Sequence, residues 1–306
     1  MESEGTSALA ALSEATADAV EKAAASIVSV RGGRRRPSSG VVYAPGLVVT
    51  SAHAIERDEG IGVSLGEGRS LEASLIGRDH ASGVALLRVE GLEAPAAAPA
   101  SGEARVGEIS LAVGRSARSG NVKASLGVVG GIGSFPGPFR GKRRGGRGGR
   151  RVANAIQSDA ALYPGMSGGA LLDARGGVLG IIAALPMRGA TFAVPAAVAW
   201  EAAKRMESGA KPGYLGILTQ TVDLPSSQRE STGQSLGLLI VGVEEESPAD
   251  RGGAMVGDIL FRLDGEGVED AGDLLSLLGS AGTEAKLEVL RGGNVTALAV
   301  EVARRT

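Results

Sequence analysis

The sequence has no cysteine and few histidines, the residues that form disulfides and many metal sites. Its 306 residues include no cysteine, which excludes a disulfide framework and a thiolate metal site. His53 and His80 are the only two histidines, so no metal centre built from several histidines is expected. We therefore predict no metal and no cofactor. Any chemistry that pairs a serine with a histidine has two candidate bases.

Aromatic residues, long apolar runs and excess charge are also scarce. Aromatics make up 3% of the chain, so alanine, valine, leucine and isoleucine must fill the core. No apolar run reaches the length of about eighteen residues that a membrane helix needs, which predicts no membrane span. The formal net charge of −2 indicates no class of partner.

Residues 1–30 lack the basic segment and the apolar segment of a secretory signal peptide. For the sequence as it stands, the expected location is the cytoplasm. If a signal peptide precedes residue 1 in the complete protein, the cell envelope is expected instead.

Forty-nine glycines separate many short, valine-rich segments, a pattern typical of a β-rich fold with tight turns. Two sets of such segments flank an Ala/Pro-rich linker at 93–104. They predict two packed β-barrels over residues 26–208. Residues 209–306 predict a smaller α/β domain with its own hairpin turns.

Helices are predicted at both ends of the barrel region. Residues 1–25 form an N-terminal segment in which apolar residues recur at helical spacing over 6–25. We favour a helix packed on its own domain, with a contact between subunits as the alternative. A second helix is predicted at 195–208, where Pro195 suits the first turn and Gly209 suits the position past the end.

A candidate nucleophile, Ser167, lies in the segment "YPGMSGGALLD" next to Gly165 and Gly168. Its surroundings match the G-x-S-x-G elbow of α/β-hydrolases, in which the histidine follows the serine. Here both histidines precede Ser167, which excludes the α/β-hydrolase order of catalytic residues. The order histidine, acid, serine of chymotrypsin-like enzymes stays open.

His53 is the better candidate base, because the strand "LVVT" ends just before it and would hold it near solvent. His80 lies in the polar turn "GRDHASG" and is interpreted as a surface histidine.

These segments together resemble the HtrA family of trypsin-like serine proteases with a C-terminal PDZ domain. The resemblance covers residues 25–306 and rests on "SGVVYAPGLVVTSAHAI", "IGRDHASGVALLRV", "SDAALYPGMSGGALLD" and "FAVP", in that order. It implies a mostly β fold, a chymotrypsin-like double β-barrel followed by a small α/β PDZ domain.

The resemblance assigns roles to particular residues. Ser167 would attack the scissile carbonyl, and His53 would take and return its proton. The N–H groups of Gly165 and Ser167 would form the oxyanion hole. Leu162 and Phe192 would line the specificity pocket, with a preference for small or medium apolar side chains.

The chain departs from the family at the third member of the triad. The family has an aspartate before an apolar strand, and Gly83 occupies that place here. Asp79, four residues upstream, is the one plausible substitute. Without the acid, nothing is expected to hold the second ring nitrogen of His53, at a cost on the order of 10⁴-fold in rate. Met166 also replaces the family's usual polar residue.

The C-terminal domain resembles a PDZ domain. In "KPGYLGILTQTV", the N–H groups of Leu215, Gly216 and Ile217 could hold a peptide's C-terminal carboxylate, and the following strand could accept the peptide as an added strand. Asp264-Gly265 predicts a hairpin turn, and Asp270 a helix cap. Leu274 is predicted to face the peptide groove.

Two arginine-rich runs lie at 31–37 and 140–151. Such runs are usually solvated loops, the interpretation we favour. Polyanion binding through phosphate contacts is the alternative, although the aromatics needed for stacking are missing.

Two functions follow for the whole chain. The favoured one is an HtrA-like serine endopeptidase of reduced activity, acting on unfolded proteins or on peptides with free apolar C-termini. The alternative is a pseudoprotease that binds peptides through its PDZ domain in a chaperone-like role. The resemblance also implies a homotrimer, an expectation weakened by the scarcity of aromatics near the N-terminus.

Overall fold

The computed structural model describes residues 2–33, 37–66, 70–79, 82–136, 151–183, 190–209 and 213–304. His80 lies outside these residues, as do positions 34–36 and 140–150 of the arginine-rich runs. The described chain divides into two compact units between Ser208 and Gly209. In the described part, no helix combines the length and the hydropathy needed to cross a membrane.

The first unit begins with helix α1, Glu2–Ala24, which starts earlier than predicted. Ala19 and Ala23 are buried in the core of the same unit. A Cβ on Gly176 would lie 2.8 Å from the Ala19 carbonyl oxygen, so the helix and this turn pack closely. Leu9, nearer the start of α1, is 70% exposed. The C-terminal half of α1 therefore packs on its own unit.

Twelve strands form two closed six-stranded barrels, which confirms the predicted double barrel. The first barrel consists of β1 to β6, which are Ile27–Arg31, Ser38–Ala44, Leu47–Ser51, Ile61–Ser64, Leu71–Asp79 and Val84–Val89. The second consists of β7 to β12, which are Ile109–Arg115, Val122–Pro136, Arg151–Ser158, Ala170–Leu172, Val178–Ala183 and Thr191–Pro195.

Period-two alternation divides each strand between two cores. In β3, Val48 belongs to the apolar interior of the first barrel. Leu47 and Val49 belong instead to a cluster that also contains Leu111 and Val113 of the second barrel. Because successive side chains point to opposite faces, one strand can fill its barrel and also pack against the other barrel.

Helix α2, Ala196–Glu207, covers the cluster between the barrels. Its alanines at 199, 202 and 203 are buried, and small side chains allow close approach to the strands. Trp200 stacks at a tilt on Tyr43 of β2, with 5.4 Å between ring centroids.

The second unit contains a six-stranded antiparallel sheet in which five strands follow the order β14-β15-β16-β18-β19 and β17 pairs with β16, so β14 lies at one edge. Its strands β13 to β20 are Gly213–Tyr214, Ile217–Asp223, Leu236–Val243, Ile259–Leu263, Glu266–Gly267, Glu284–Arg291, Asn294–Glu301 and Ala303–Arg304. Its helices α3 to α5 are Ser226–Thr232, Pro248–Arg251 and Ala271–Ser280.

Two local predictions in this unit are confirmed. Asp264 and Gly265 have φ values of 51° and 86° and connect β16 to β17, as a hairpin turn of this type requires. Asp270 accepts a hydrogen bond from the Asp273 N–H at 3.0 Å through Oδ1 and so caps α5.

Arg115, the last residue of β7, joins α1 to both barrels. Its guanidinium donates to the carbonyls of Ala24 at 2.5 Å, Ile27 at 2.5 Å and Gly120 at 2.6 Å. Ala24 ends α1, where a cation also meets the negative end of the helix dipole. Burial lowers the pKa of Arg115 from its ordinary value.

Replacing Arg115 by Met is expected to lower the free energy of unfolding of the first unit by about 2–4 kcal/mol, because three carbonyls lose a charged donor. Urea unfolding followed by the fluorescence of Trp200, the only tryptophan, measures this unit. Arg118→Met, at an exposed position, is the control and should change stability by less than about 0.5 kcal/mol. Equal stability of the two variants would contradict this role of Arg115.

Candidate active site

His53 lies in a single 3₁₀ turn, Ala52–Ala54, that follows β3 directly. The Ala52 N–H donates to the Gly83 carbonyl at 2.8 Å, which fixes the turn to the segment before β6. The imidazole is half-buried, and this burial lowers its pKa from the ordinary value. His53 is therefore neutral near pH 7, the form that can accept a proton.

Ser167 lies in the loop before β10, and its Oγ is 3.0 Å from His53 Nε2. The structure thus brings together the two residues that the sequence singled out, one from each barrel, 114 positions apart. This distance is within hydrogen-bond reach, the first requirement for a general base.

The other ring nitrogen of His53 also has a partner. Ser51 Oγ lies 2.6 Å from His53 Nδ1. The expectation that nothing holds this nitrogen is therefore wrong. Ser51 is the last residue of β3, and the 3₁₀ turn folds the ring of His53 back over it. Sequence reasoning missed this contact because a serine two residues before a histidine is a common pattern.

The structure does not bring Asp79 to His53. Asp79 Oδ2 accepts hydrogen bonds from Ser82 Oγ at 2.9 Å and from the Arg205 guanidinium at 3.1 Å, which ties β5 to α2. Gly83, at the position of the family's acid, has φ +77°. This left-handed conformation favours glycine and would strain an aspartate.

The loop before Ser167 carries the two N–H groups that the sequence predicts for an oxyanion hole. Gly165 has φ +95°, a conformation reserved for glycine. Met166 is fully buried, and its N–H donates to the Tyr163 carbonyl at 3.1 Å. Among the described residues, neither the Gly165 N–H nor the Ser167 N–H donates to a protein acceptor, so both can serve an oxyanion.

Ser39 in β2 is a site residue that sequence reasoning missed. Its N–H donates to the Ser167 carbonyl at 2.7 Å, and its Oγ donates to the Gly165 carbonyl at 2.6 Å. The Arg115 N–H donates to the same Oγ at 2.8 Å, and Thr50 Oγ1 donates to the Ser39 carbonyl at 2.7 Å. The available signal was a pair of serines at the start of an apolar strand.

The two residues predicted for the specificity pocket lie in the second barrel. Leu162 is half-buried and packs against the interior cluster that contains Met166 and Ile182. Phe192 is buried in β12, which pairs with β9 and β11. The preference for small or medium apolar side chains stays a prediction.

The second unit places the predicted peptide-binding residues at the edge of its sheet. Gly216 has φ +81°, and a Cβ there would lie 2.2 Å from Ser247 Cβ. Leu215 is buried beside it, and Ile217 begins the edge strand β14. Leu274 on α5 is 6% exposed and packs into the core of this unit, and its place in a peptide groove stays a prediction.

Family models match both units. A trypsin-like peptidase domain matches residues 38–181, and a PDZ domain matches residues 213–302. The chain is 33% identical over 291 residues to a probable periplasmic serine endoprotease, DegP-like, of Ectopseudomonas mendocina, with 89% of this chain and 58% of the relative covered. A protein of the same name from Halomonas elongata is 31% identical over 282 residues, covering 86% and 56%. The chain thus spans under two thirds of these relatives.

Solved structures cover nearly the whole chain. An HtrA-type protease, AlgW, with a decapeptide has a TM-score of 0.71 and 26% identity, covering 95% of this chain and 99% of the other. The same protease with a tripeptide has a TM-score of 0.71 and 28% identity, covering 95% and 97%.

The acidic limb of the pH profile of kcat/KM is expected to lie below pH 6.5, the ordinary pKa of histidine. Burial lowers the pKa of His53, so the neutral base persists to lower pH, and activity is lost only as pH falls through this lowered value. An NMR titration of His53 gives the same midpoint without turnover. The His80→Gln variant should show the same acidic limb in its kcat/KM profile. A limb or an NMR titration of His53 with its midpoint above pH 6.5 would contradict the prediction.

Proposed function

Because this chain belongs to the HtrA family of trypsin-like serine proteases with a PDZ domain, we propose that it is a serine endopeptidase of reduced activity. Its proposed substrates are unfolded proteins and peptides. The observation that carries the proposal is the 3.0 Å contact between Ser167 Oγ and His53 Nε2, beside two N–H groups that can receive an oxyanion.

The proposed mechanism follows from this geometry. Ser167 Oγ attacks the scissile carbonyl as its proton moves to His53 Nε2. The N–H groups of Gly165 and Ser167 stabilise the negative oxygen of the tetrahedral intermediate. The imidazolium then protonates the leaving amine, and water releases the acyl group by the same route.

Reduced activity is proposed because no carboxylate in the described part of the chain contacts the His53 imidazole. His53 Nδ1 contacts the neutral hydroxyl of Ser51, and Asp79 is occupied by Ser82 and Arg205. In comparable triads the loss of the acid costs on the order of 10⁴-fold in rate, while the oxyanion hole keeps part of the catalysis.

We propose that the second unit binds peptides with free apolar C-termini. This is supported by the turn at Gly216, where glycine alone fits, and by the edge strand β14, which can pair with an added strand. It is also supported by the similar structures of AlgW, which were solved with a decapeptide and with a tripeptide.

The second candidate function is a pseudoprotease that binds peptides without cutting them. The φ of +77° at Gly83 favours this second function, because a left-handed backbone at the position of the family's aspartate disfavours any residue with a side chain. The ion pair between Asp79 and Arg205 favours it too, since it engages the one acid that the sequence offered as a substitute.

A fluorophosphonate probe is expected to label Ser167 slowly, because the N–H groups of Gly165 and Ser167 are available to the proposed oxyanion but His53 lacks a carboxylate partner. Mass spectrometry of the labelled peptide measures this. Ser167→Ala should abolish labelling, and Ser101→Ala, in the exposed linker, should leave it unchanged. A folded protein that stays unlabelled after long incubation would favour the pseudoprotease.

A peptide with a free, apolar C-terminus is expected to bind at least about tenfold more tightly than its C-terminal amide, because charged hydrogen bonds to the Gly216 turn are lost in the amide. Isothermal calorimetry measures both. Leu218→Asp on β14 should weaken binding by charge repulsion, whereas Val295→Asp on β19, the opposite edge, should not. Equal affinity for acid and amide would refute the carboxylate-binding turn.

A further inference from the structure

We propose that Ser51 is the positioning residue of His53, in the place that a carboxylate takes in trypsin-like triads. Ser51 Oγ is 2.6 Å from His53 Nδ1, and Ser167 Oγ is 3.0 Å from Nε2, so the three side chains form one continuous chain of hydrogen bonds. The kinetic part of this proposal rests on the proposed peptidase function.

The backbone holds Ser51 in place on two sides. In the sheet it pairs with Val84 of β6. The next residue, Ala52, donates to the Gly83 carbonyl at 2.8 Å. On the other side, a Cβ on Gly168 would lie 3.0 Å from the Ser51 nitrogen, so the serine loop packs against it. Ser51 is 1% exposed, and its hydroxyl is therefore shielded from competing water.

A hydroxyl can orient the imidazole but does not restrict it to one tautomer, as a carboxylate does. In the productive direction, Ser167 Oγ–H donates to Nε2 and Nδ1–H donates to Ser51 Oγ. In the reverse direction, Ser51 Oγ–H donates to Nδ1 and Nε2–H donates to Ser167, which blocks proton transfer from the nucleophile. A carboxylate carries no proton and so permits only the first direction.

The neutral triad therefore gives His53 a fixed orientation with two competing tautomers. Burial lowers the pKa of His53, so the neutral ring is the resting form near pH 7, and both directions are open to it. Ser51 also places no charge beside the imidazolium formed during the reaction. It should consequently support part of the rate, more than an empty site and less than an aspartate.

The kinetic test uses the full chain and a fluorogenic decapeptide with valine at the cleaved bond. Ser51→Ala should lower kcat about tenfold with KM unchanged, because one neutral hydrogen bond is lost at the base. Ser51→Thr retains the hydroxyl and should keep most of the activity. The matched control is Ser29→Ala, which removes another buried serine of the first barrel, bonded to Ser64 Oγ at 2.7 Å. It should leave kcat unchanged.

A second readout needs no turnover. Imidazole ¹⁵N shifts report the tautomer, and with two histidines in the chain, His80→Gln assigns the His53 signals. A free imidazole in water favours the Nε2–H form. In folded wild type, Ser51 Oγ can accept from Nδ1–H, so the Nδ1–H form should be more populated than in the urea-unfolded chain. Ser51→Ala would leave a buried Nδ1–H without an acceptor and should lose this excess. If the protein proves to be inactive, the tautomer result still tests Ser51 on its own.

Three outcomes would overturn the proposal. One is a folded Ser51→Ala protein with the kcat and the ¹⁵N shifts of wild type. Another is an equal loss of kcat in Ser29→Ala, which would indicate general destabilisation of the barrel. The third applies if Ser51→Ala does not fold, when the tautomer ratio of His53 is measured in wild type alone. A ratio equal to that of the urea-unfolded chain would refute the role of Ser51.

Discussion

The buried hydrogen bonds of Ser39 hold the nucleophile of one barrel against the base of the other. The Ser39 N–H donates to the Ser167 carbonyl, and the Ser39 Oγ–H donates to the Gly165 carbonyl, both in the second barrel. Its own carbonyl receives Thr50 Oγ1, three residues before His53 in the first. Because Ser39 and Thr50 are fully buried, breaking one of their bonds would leave an unsatisfied polar group, and the network resists partial loss. The 3.0 Å separation of Ser167 and His53 depends on this network.

Beside this network the chain has the two N–H groups proposed to bind the negatively charged oxygen of the intermediate. It has glycine at position 83, where the family has the negatively charged aspartate. The oxyanion loop retains its left-handed glycine and its available N–H groups. The base, in contrast, is supported only by a hydroxyl. In the proposed mechanism such a site would stabilise the tetrahedral intermediate but would form the imidazolium without a neighbouring negative charge. Slow turnover is the behaviour we propose for this combination.

Local features could be predicted from the sequence, and contacts distant in sequence could not. Alternating valines predicted the barrels, and Asp270 predicted the cap of α5, because each depends on residues a few positions apart. Ser167 and His53 could be paired because their order excluded the elbow fold. The bonds of Ser39 to Gly165 and of Arg205 to Asp79 each span 126 positions, and no pattern in one sequence reports them. Ser51 escaped notice because the 3₁₀ turn, and not the spacing, brings it to the imidazole.

The left-handed backbone at Gly83 has a consequence for how this site can change over evolutionary time. A single substitution that restored a carboxylate would have to overcome a strain of roughly 1–2 kcal/mol before it gave any catalytic benefit. The segment would first need a second change that returns the backbone to the extended region. With Arg205 holding Asp79 on the neighbouring strand, that change would also disturb an ion pair. A carboxylate at position 83 would therefore lower stability unless a second substitution changed the backbone first, so the triad cannot be restored by one favourable step.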